Sequence, residues 1–320
     1  MILVAMFAAR NHTDTLLAFE AARPTNIAIY LSDPRYGLAV NATSNLLNNT
    51  EPVWSADGRL AFVSSVLLTQ DVYTMTLDQR VPINVSQTEH SDSPAWSAGG
   101  RLAYVTHHAG EANSIDLINP DGSRQSVTVD LLPDVSSPSW LSDHELVFLG
   151  IMRSEQYQVF LLDLDNNHLS NLSNQPTLIH REALASPDGR RVAFISDDQS
   201  RARVRQTISV WDKASGAVVT VTQNTGLNRD LSWSQDGKLA FSSTMNGNSE
   251  IYMWDGQSGA LTNLSNDAGV DEFAGWAGNG DLAFISNRSG EAGVYRINPL
   301  TDFIQPIYIL HGSSHPVWSN

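Results

Sequence analysis

The chain has 320 residues, of which 42% are apolar and 17% charged, a balance typical of folded globular proteins and unlike that of disordered ones. Its formal net charge of −15 disfavours general binding to the phosphate backbone of nucleic acids. There are no cysteines, so disulfides, cysteine-ligated zinc and thiol catalysis are excluded.

The N-terminal stretch MILVAMFAAR is almost entirely apolar or small. It is too short to span a bilayer, and it lacks the basic start and cleavage site of a signal peptide. We interpret residues 1–15 as a tail, with the remnant of a membrane anchor or signal as one alternative and a short strand as the other. Residues 16–320 are assigned to a single domain, and no segment is predicted to span a membrane.

From residue 16 onward, one phrase recurs: Trp-Ser-x-Asp-Gly followed by a Leu-Ala-Phe run, as in WSQDGKLAF from Trp233. Successive copies are 42 to 48 residues apart, and self-similarity at such a period indicates a repeat architecture. The position of the tryptophan, here called the anchor, is occupied by Trp54, Trp96, Trp140, Ala185, Trp233, Trp276 and Trp318.

Each repeat predicts four short strands. The anchor ends the first strand, the Asp-Gly pair forms a tight hairpin turn, and the Leu-Ala-Phe run is the second strand. A third strand such as EIYMWD and a weaker fourth, often ending in NVS or NLS, complete the unit. Four antiparallel strands per repeat are typical of a β-propeller blade.

The two ends of the chain complement each other. Residues 16–21 match a second strand and residues 26–31 a third, but no first strand precedes them. The last residues, HPVWSN, supply an anchor with no strand after it. Pairing the two ends closes the ring and removes two exposed sheet edges. The sequence therefore predicts an all-β, seven-bladed propeller of four-stranded antiparallel blades; six blades is the alternative if the terminal pieces form none.

The repeated phrase, with the later EIYMWD and LTNLS, resembles the TolB-type (TolB-like, WD-like) β-propeller repeat over about residues 16–320. Proteins similar to this include the periplasmic TolB component of the Tol-Pal envelope system, propeller domains of prolyl-oligopeptidase-class peptidases and some polysaccharide lyases. The resemblance implies a bacterial, extracytoplasmic protein, whether periplasmic, cell-surface or secreted. TolB carries a separate N-terminal domain that we do not expect in this protein, and the G-x-S-x-G sequence of the peptidases does not occur in these 320 residues.

Function is expected where the blades differ, because recurring residues serve packing and turns common to all blades. In a propeller the first strand is innermost, so the residues shortly before each anchor are expected at the mouth of the central channel. The polar residues there form a predicted rim for a ligand or partner; solvated loop residues are the alternative. The predicted rim consists of Glu51, Asp92, His180, Arg181, Glu182, Arg229, Asp230, Glu272 and His315.

Within the rim, Arg181 or Arg229 is suited to holding a carboxylate bidentately, and an internal ion-pair network is the other reading. No catalytic residue, metal ligand or cofactor is predicted. A calcium ion at residues 267–272, DAGVDE, is an alternative, although this stretch lacks the EF-hand order.

The leading functional hypothesis is a non-enzymatic scaffold that presents its polar channel mouth to a protein or peptide partner. A carbohydrate-active lyase or hydrolase with carboxylates at the same mouth is the alternative. A purely architectural module is the third.

Overall fold

The computed structural model describes residues 16–34, 38–45, 47–129, 132–152, 156–198, 205–223, 226–309 and 312–319. The predicted tail, residues 1–15, lies outside the described residues. In the described part of the chain there is no helix with the length and apolar character needed to cross a membrane.

The described residues form twenty-eight strands. In chain order they are β1 (Leu17–Ala22), β2 (Ile27–Asp33), β3 (Leu38–Asn41), β4 (Asn48–Trp54), β5 (Leu60–Val66), β6 (Thr69–Met75), β7 (Ile83–Asn84), β8 (Ser91–Trp96), β9 (Leu102–Thr106), β10 (Ser114–Ile118), β11 (Arg124–Val127), β12 (Asp134–Ser142), β13 (Glu145–Ile151), β14 (Tyr157–Asp163), β15 (His168–Asn171), β16 (Ile179–Ala185), β17 (Arg191–Asp198), β18 (Arg205–Asp212), β19 (Val218–Thr222), β20 (Asn228–Trp233), β21 (Lys238–Ser243), β22 (Glu250–Asp255), β23 (Leu261–Asn263), β24 (Asp271–Trp276), β25 (Leu282–Ser286), β26 (Gly293–Asn298), β27 (Phe303–Ile309) and β28 (Ser313–Trp318).

These strands form seven sheets of four antiparallel strands, one sheet per blade. Six blades are consecutive in sequence, and the seventh has the order β28-β1-β2-β3. The first strands β4, β8, β12, β16, β20, β24 and β28, here called the inner strands, each contact the inner strands of both neighbouring blades. The predicted seven-bladed ring is therefore confirmed, and the six-bladed alternative is wrong.

The ring closes where the two ends of the chain meet. Leu17 pairs with Trp318 and Ala18 with Val317. Beyond this ladder the amide of Ser319 donates to the carbonyl of Leu16 at 2.7 Å, and the amide of Leu16 donates to Ser319 Oγ at 2.7 Å. The closing blade is thus hydrogen-bonded like the other six. Because β28 and β1 pair with each other, neither terminal strand is left without a partner.

The Ser-x-Asp-Gly phrase has a local physical reason. After Trp54, the amide of Arg59 donates to Ser55 Oγ at 2.8 Å, and the same hydroxyl donates to Asp57 at 2.5 Å. Gly58 has a φ of 81°, a left-handed conformation that glycine adopts at little cost. The serine and aspartate side chains therefore hydrogen-bond the polar groups of the turn, and the left-handed glycine lets the chain turn back into β5.

Among the described residues, five of the six anchor tryptophans donate a hydrogen bond to the preceding blade, Trp96 being the exception. The indole Nε1 atoms of Trp54, Trp140, Trp233, Trp276 and Trp318 donate to backbone carbonyls at 3.0–3.3 Å. In every case the acceptor is the residue just before the anchor of the neighbouring blade. The tryptophan therefore combines apolar burial between blades with a hydrogen bond that fixes their relative position.

The anchor Ala185 is the exception, and the preceding blade compensates for it. Leu141 occupies the position that is serine in most blades, and it packs in one buried cluster with Ala185 and Val192. The adjacent Leu184 does not fill the space, because it packs against the next interface with Trp233. Successive residues of a strand point to opposite faces, so Leu184 lies on the wrong face to replace the missing indole.

Candidate functional site

Every inner strand carries a β-bulge shortly before its anchor, seen as a register shift against its neighbour. In six blades the residue three positions before the anchor has a φ of 47–58° although it is not glycine. Each such residue costs of the order of 1–3 kcal/mol. The conformation recurs at Glu51, Ser93, Ser137, Asp230, Phe273 and His315, so it belongs to the fold, whereas the side chain at the bulge differs between blades.

Carboxylates connect these bulges from one blade to the next. The Ser93 amide donates to Glu51 Oε2 at 3.0 Å, and the Phe273 amide donates to Asp230 Oδ2 at 3.1 Å. Glu182 accepts from the amides of Asp230 and Leu231 at 3.1 and 2.7 Å. Several predicted rim residues therefore also hold neighbouring blades together.

Glu20 belongs to this chain of contacts, and the sequence analysis missed it. It lies on β1, a second strand, and is 4% exposed. Its Oε1 accepts from the Glu51 amide at 2.8 Å. A signal was present in the sequence: the corresponding second-strand positions in other blades are mostly apolar, such as Val63 and Ile285.

His315 sits against Glu20 at the closing blade. Its Nδ1 is 3.2 Å from Glu20 Oε2, and its ring centroid is 4.2 Å from that of Phe273. Burial opposes the charged imidazolium, but the hydrogen bond to Glu20 and the charges of Glu20, Asp230 and Glu51 outweigh it and raise the pKa of His315. Asp230 and Glu51 belong to blades on opposite sides of His315, so charges from both directions act on its imidazole.

Two channel glutamates hold their protons unusually tightly. Surrounding protein raises the pKa of Glu51 to about 7, and the charge of Asp92 adds to the effect. Burial raises the pKa of Glu182 to about 7, with a further contribution from Asp230. The Glu51 residue is exposed at its surface, yet protein atoms surround the carboxyl group closely enough for desolvation to be the main cause of its raised pKa. Burial and Asp230 also raise the pKa of Glu272, opposed by Arg229.

His180 does not lie on the rim, which corrects its predicted placement. It is 1% exposed, its Nδ1 is 3.1 Å from Ser196 Oγ, and its ring packs edge-on against Phe194. Burial lowers the pKa of His180 to about 4, opposed by the charge of Asp197. The residue lies before the bulge, where the side chain is directed into the blade instead of the channel.

Arg181 and Asp92 each contact polar side chains of this protein. Arg181 forms an ion pair with the fully buried Asp197, so the internal ion-pair reading holds for this arginine. Asp92 Oδ2 accepts from Gln70 Nε2 at 2.8 Å and lies 2.9 Å from His107 Nε2. Arg229 is exposed, and its charge acts on Glu272.

The stretch considered for calcium does not converge on one point. Asp271 Oδ2 lies 3.0 Å from Arg288 Nη2, and Asp267 accepts from the Gly269 amide at 2.8 Å. Across the described ranges, no group of three or more histidine, aspartate or glutamate side chains is arranged to hold a metal ion.

The channel is therefore acidic. Six carboxyl groups are linked by direct contact or by mutual charge effects, and the basic groups that contact them or act on their charge are His107, His315 and Arg229. The carboxyl groups are those of Glu20, Glu51, Asp92, Glu182, Asp230 and Glu272.

Comparison with known proteins identifies similar folds but does not identify the activity of this protein. No family model matches the chain, and neither does any curated protein. Among solved structures, TolB from Acinetobacter baumannii is 18% identical with a TM-score of 0.56, the alignment covering 96% of this chain and 83% of that one. An oligogalacturonate lyase in complex with manganese is 11% identical with a TM-score of 0.68, covering 89% and 86%.

A puromycin hydrolase is 14% identical with a TM-score of 0.69, covering 96% of this chain. The chain spans about half of that protein's length, 55%. These likenesses confirm the predicted TolB-like β-propeller as a likeness of fold. The similar structures include both TolB and enzymes, so the shared fold is compatible with more than one class of function.

Proposed function

We propose that this protein is a non-enzymatic binding scaffold that takes a basic segment of a protein or peptide partner into its channel. The observation that carries the proposal is the set of six carboxyl groups that neighbouring inner strands link by bulge hydrogen bonds and mutual charge effects, against three basic groups, His107, His315 and Arg229. Walls of low dielectric focus such a field and attract cations. No cofactor is part of this proposal.

The raised pKa values of Glu51 and Glu182 mean that their charged forms are unfavourable without a nearby cation. A positive charge in the channel would therefore stabilise them. Each pKa is held at about 7 by burial and by a neighbouring carboxylate. A lysine or arginine side chain between such groups favours their charged forms. Binding of a basic segment is therefore expected to release protons, and to strengthen as the pH rises from 6 to 8.

The test uses a fluorescein-labelled pentaarginine peptide and fluorescence anisotropy. Glu272→Gln removes one channel charge, and the matched control Asp302→Asn removes one charge at an exposed turn at the opposite end of the same blade. We expect Glu272→Gln to weaken binding about fivefold, since one charge pair contributes roughly 1 kcal/mol. The control is expected to stay within twofold.

Equal losses in the two variants would contradict the proposal, because they would indicate attraction by overall net charge alone. Failure of the peptide to bind in 0.1 M salt would also contradict it. Rising salt is expected to weaken binding, because screening acts on the charge pairs.

A carbohydrate-active enzyme is the second candidate. It is favoured by carboxyl groups with a pKa near 7 beside other carboxylates, a pattern found in acid–base pairs. The acidic channel disfavours an anionic polysaccharide such as a polyuronate, so neutral polymers are the better substrates to assay. Release of reducing ends from a neutral polysaccharide, abolished by Glu51→Gln, would favour the enzyme over the scaffold.

We further propose an extracytoplasmic location in a bacterial envelope, resting on the TolB-type repeat. Detection of the protein in the periplasmic or secreted fraction of the source cell, with a cytoplasmic marker as control, tests this location.

A further inference from the structure

The hairpin between β5 and β6 exposes three consecutive large apolar side chains. Val66 is 49% exposed, Leu67 98% and Leu68 91%. Single exposed apolar side chains are common on protein surfaces, whereas a contiguous group marks a contact surface. Leu67 also has a φ of 54°, a conformation that a leucine adopts at a cost. Neither the core nor the turn requires leucine there.

Corresponding hairpins of other blades differ in composition. Between their second and third strands the chain reads ARPTN at 22–26, HHAGEAN at 107–113, TMNGNS at 244–249 and NRSGEA at 287–292. None of these four has two adjacent large apolar residues. The apolar tip is therefore particular to the β4–β7 blade among these five, which is the pattern expected of a functional feature and not of a fold requirement.

The tip lies beside the acidic channel. Gln70 is two residues beyond Leu68, and its Nε2 donates to Asp92 Oδ2 at 2.8 Å. Asp92 in turn acts on the charge of Glu51. Two residues of extended strand span roughly 7 Å, so a single bound segment can reach both the tip and the channel carboxylates.

Exposed leucines can insert into a membrane or pack against a protein partner, and the charges around the tip favour the protein partner. The backbone carbonyl of Glu89 accepts from the Gln70 amide at 3.0 Å, the Glu89 side chain is exposed, and Asp71 accepts from the Glu89 amide at 3.0 Å. An anionic membrane surface attracts basic segments and repels acidic ones. A partner with positive charge next to an apolar patch complements both features of this edge.

We propose that Val66, Leu67 and Leu68 form a docking tip for the partner that enters the channel, and that this partner carries an apolar segment adjoining its basic one. This inference rests on the proposed function. The tip contributes apolar contact, and the channel contributes charge and orientation.

The experiment compares three labelled probes: pentaarginine alone, and Leu-Leu-Leu-Gly-Gly-Gly-pentaarginine in both orders of its segments. Three glycines span up to roughly 10 Å. The tip variant is the double substitution Leu67→Asn and Leu68→Gln, because asparagine accepts the left-handed conformation. The matched control is Leu300→Gln, at a leucine that is 90% exposed on the turn after β26.

We expect at least one extended probe to bind the native protein about tenfold more tightly than pentaarginine. The tip variant is expected to lose that gain, and Leu300→Gln to keep it. Binding of pentaarginine without a gain on extension, or a gain that survives in the tip variant, overturns the inference and leaves the channel proposal standing. Failure of pentaarginine to bind overturns both.

A lipid surface is tested in parallel by co-sedimentation with vesicles of phosphatidylcholine, with and without phosphatidylglycerol. Native protein in the supernatant supports a protein partner. Sedimentation that disappears in the tip variant overturns the inference in favour of a membrane-inserting tip.

Discussion

Replacing Trp233 with phenylalanine measures how much the hydrogen bond between an anchor tryptophan and the preceding blade contributes to the free energy of unfolding. The Nε1 of Trp233 donates to the carbonyl of Leu184 at 3.1 Å, and the side chain is 6% exposed. Trp233→Phe keeps an aromatic ring in the interface but leaves that carbonyl without its donor. An unsatisfied buried carbonyl costs about 1–3 kcal/mol, and the lost second ring adds a packing cost.

Trp96→Phe is the matched control. Within the described residues the Nε1 of Trp96 is buried without an acceptor, and Arg59 lies over its ring at 4.4 Å. This substitution therefore removes the same ring volume without breaking an interblade hydrogen bond. The difference between the two variants measures the bond, and we expect Trp233→Phe to be the less stable by about 1–3 kcal/mol.

Urea unfolding followed by circular dichroism at 25 °C gives both free energies, with the dependence on urea expected to match that of the native protein. Losses that agree within about 0.5 kcal/mol, a typical effect of a neutral substitution, would refute the reasoning. The blades would then be held in position by apolar contact alone.

Two further predictions concern the channel and the exceptional blade. Burial and Asp230 raise the pKa of Glu182 from 4.5 to about 7, so this group favours the folded state below pH 4.5. That contribution is lost as the pH rises through 7, by up to roughly 3 kcal/mol. Glu182→Gln is expected to flatten the decline in unfolding free energy between pH 5 and 8, and an unchanged slope would contradict this. Ala185→Trp is expected to overpack against Leu141 and cost about 1–3 kcal/mol; Leu141→Ser is expected to restore part of it, and additive losses in urea unfolding would rule out the compensation.

The sequence was sufficient for the architecture because its signals are local and repeated. The serine, aspartate and glycine after Trp54 specify one hairpin by their own hydrogen bonds and by one left-handed residue. The same phrase at regular spacing fixes the number of blades. The unmatched anchor Trp318 and the unmatched second strand at Leu17 could only complete each other, and they do so.

The candidate site was predictable only in part. The inner strands carry Glu51, Glu182, Asp230, Glu272 and His315 at or next to their bulges, while their place at a channel mouth and their role as binding residues stay predictions. Many of these side chains also accept hydrogen bonds from the next blade. A list of polar positions cannot reveal that second role, because it depends on which amide the bulge leaves free.

The sequence by itself determined the strand pattern, the turns, the seven blades and the closure of the ring, all of which follow from local backbone chemistry and periodicity. Only the tertiary structure decided which polar side chains contact one another across the blades. A bulge inserts one residue and so changes which face its neighbours take, directing His180 into the blade. Closure of the ring brings Glu20, from the other end of the chain, against His315, a contact that no local pattern encodes.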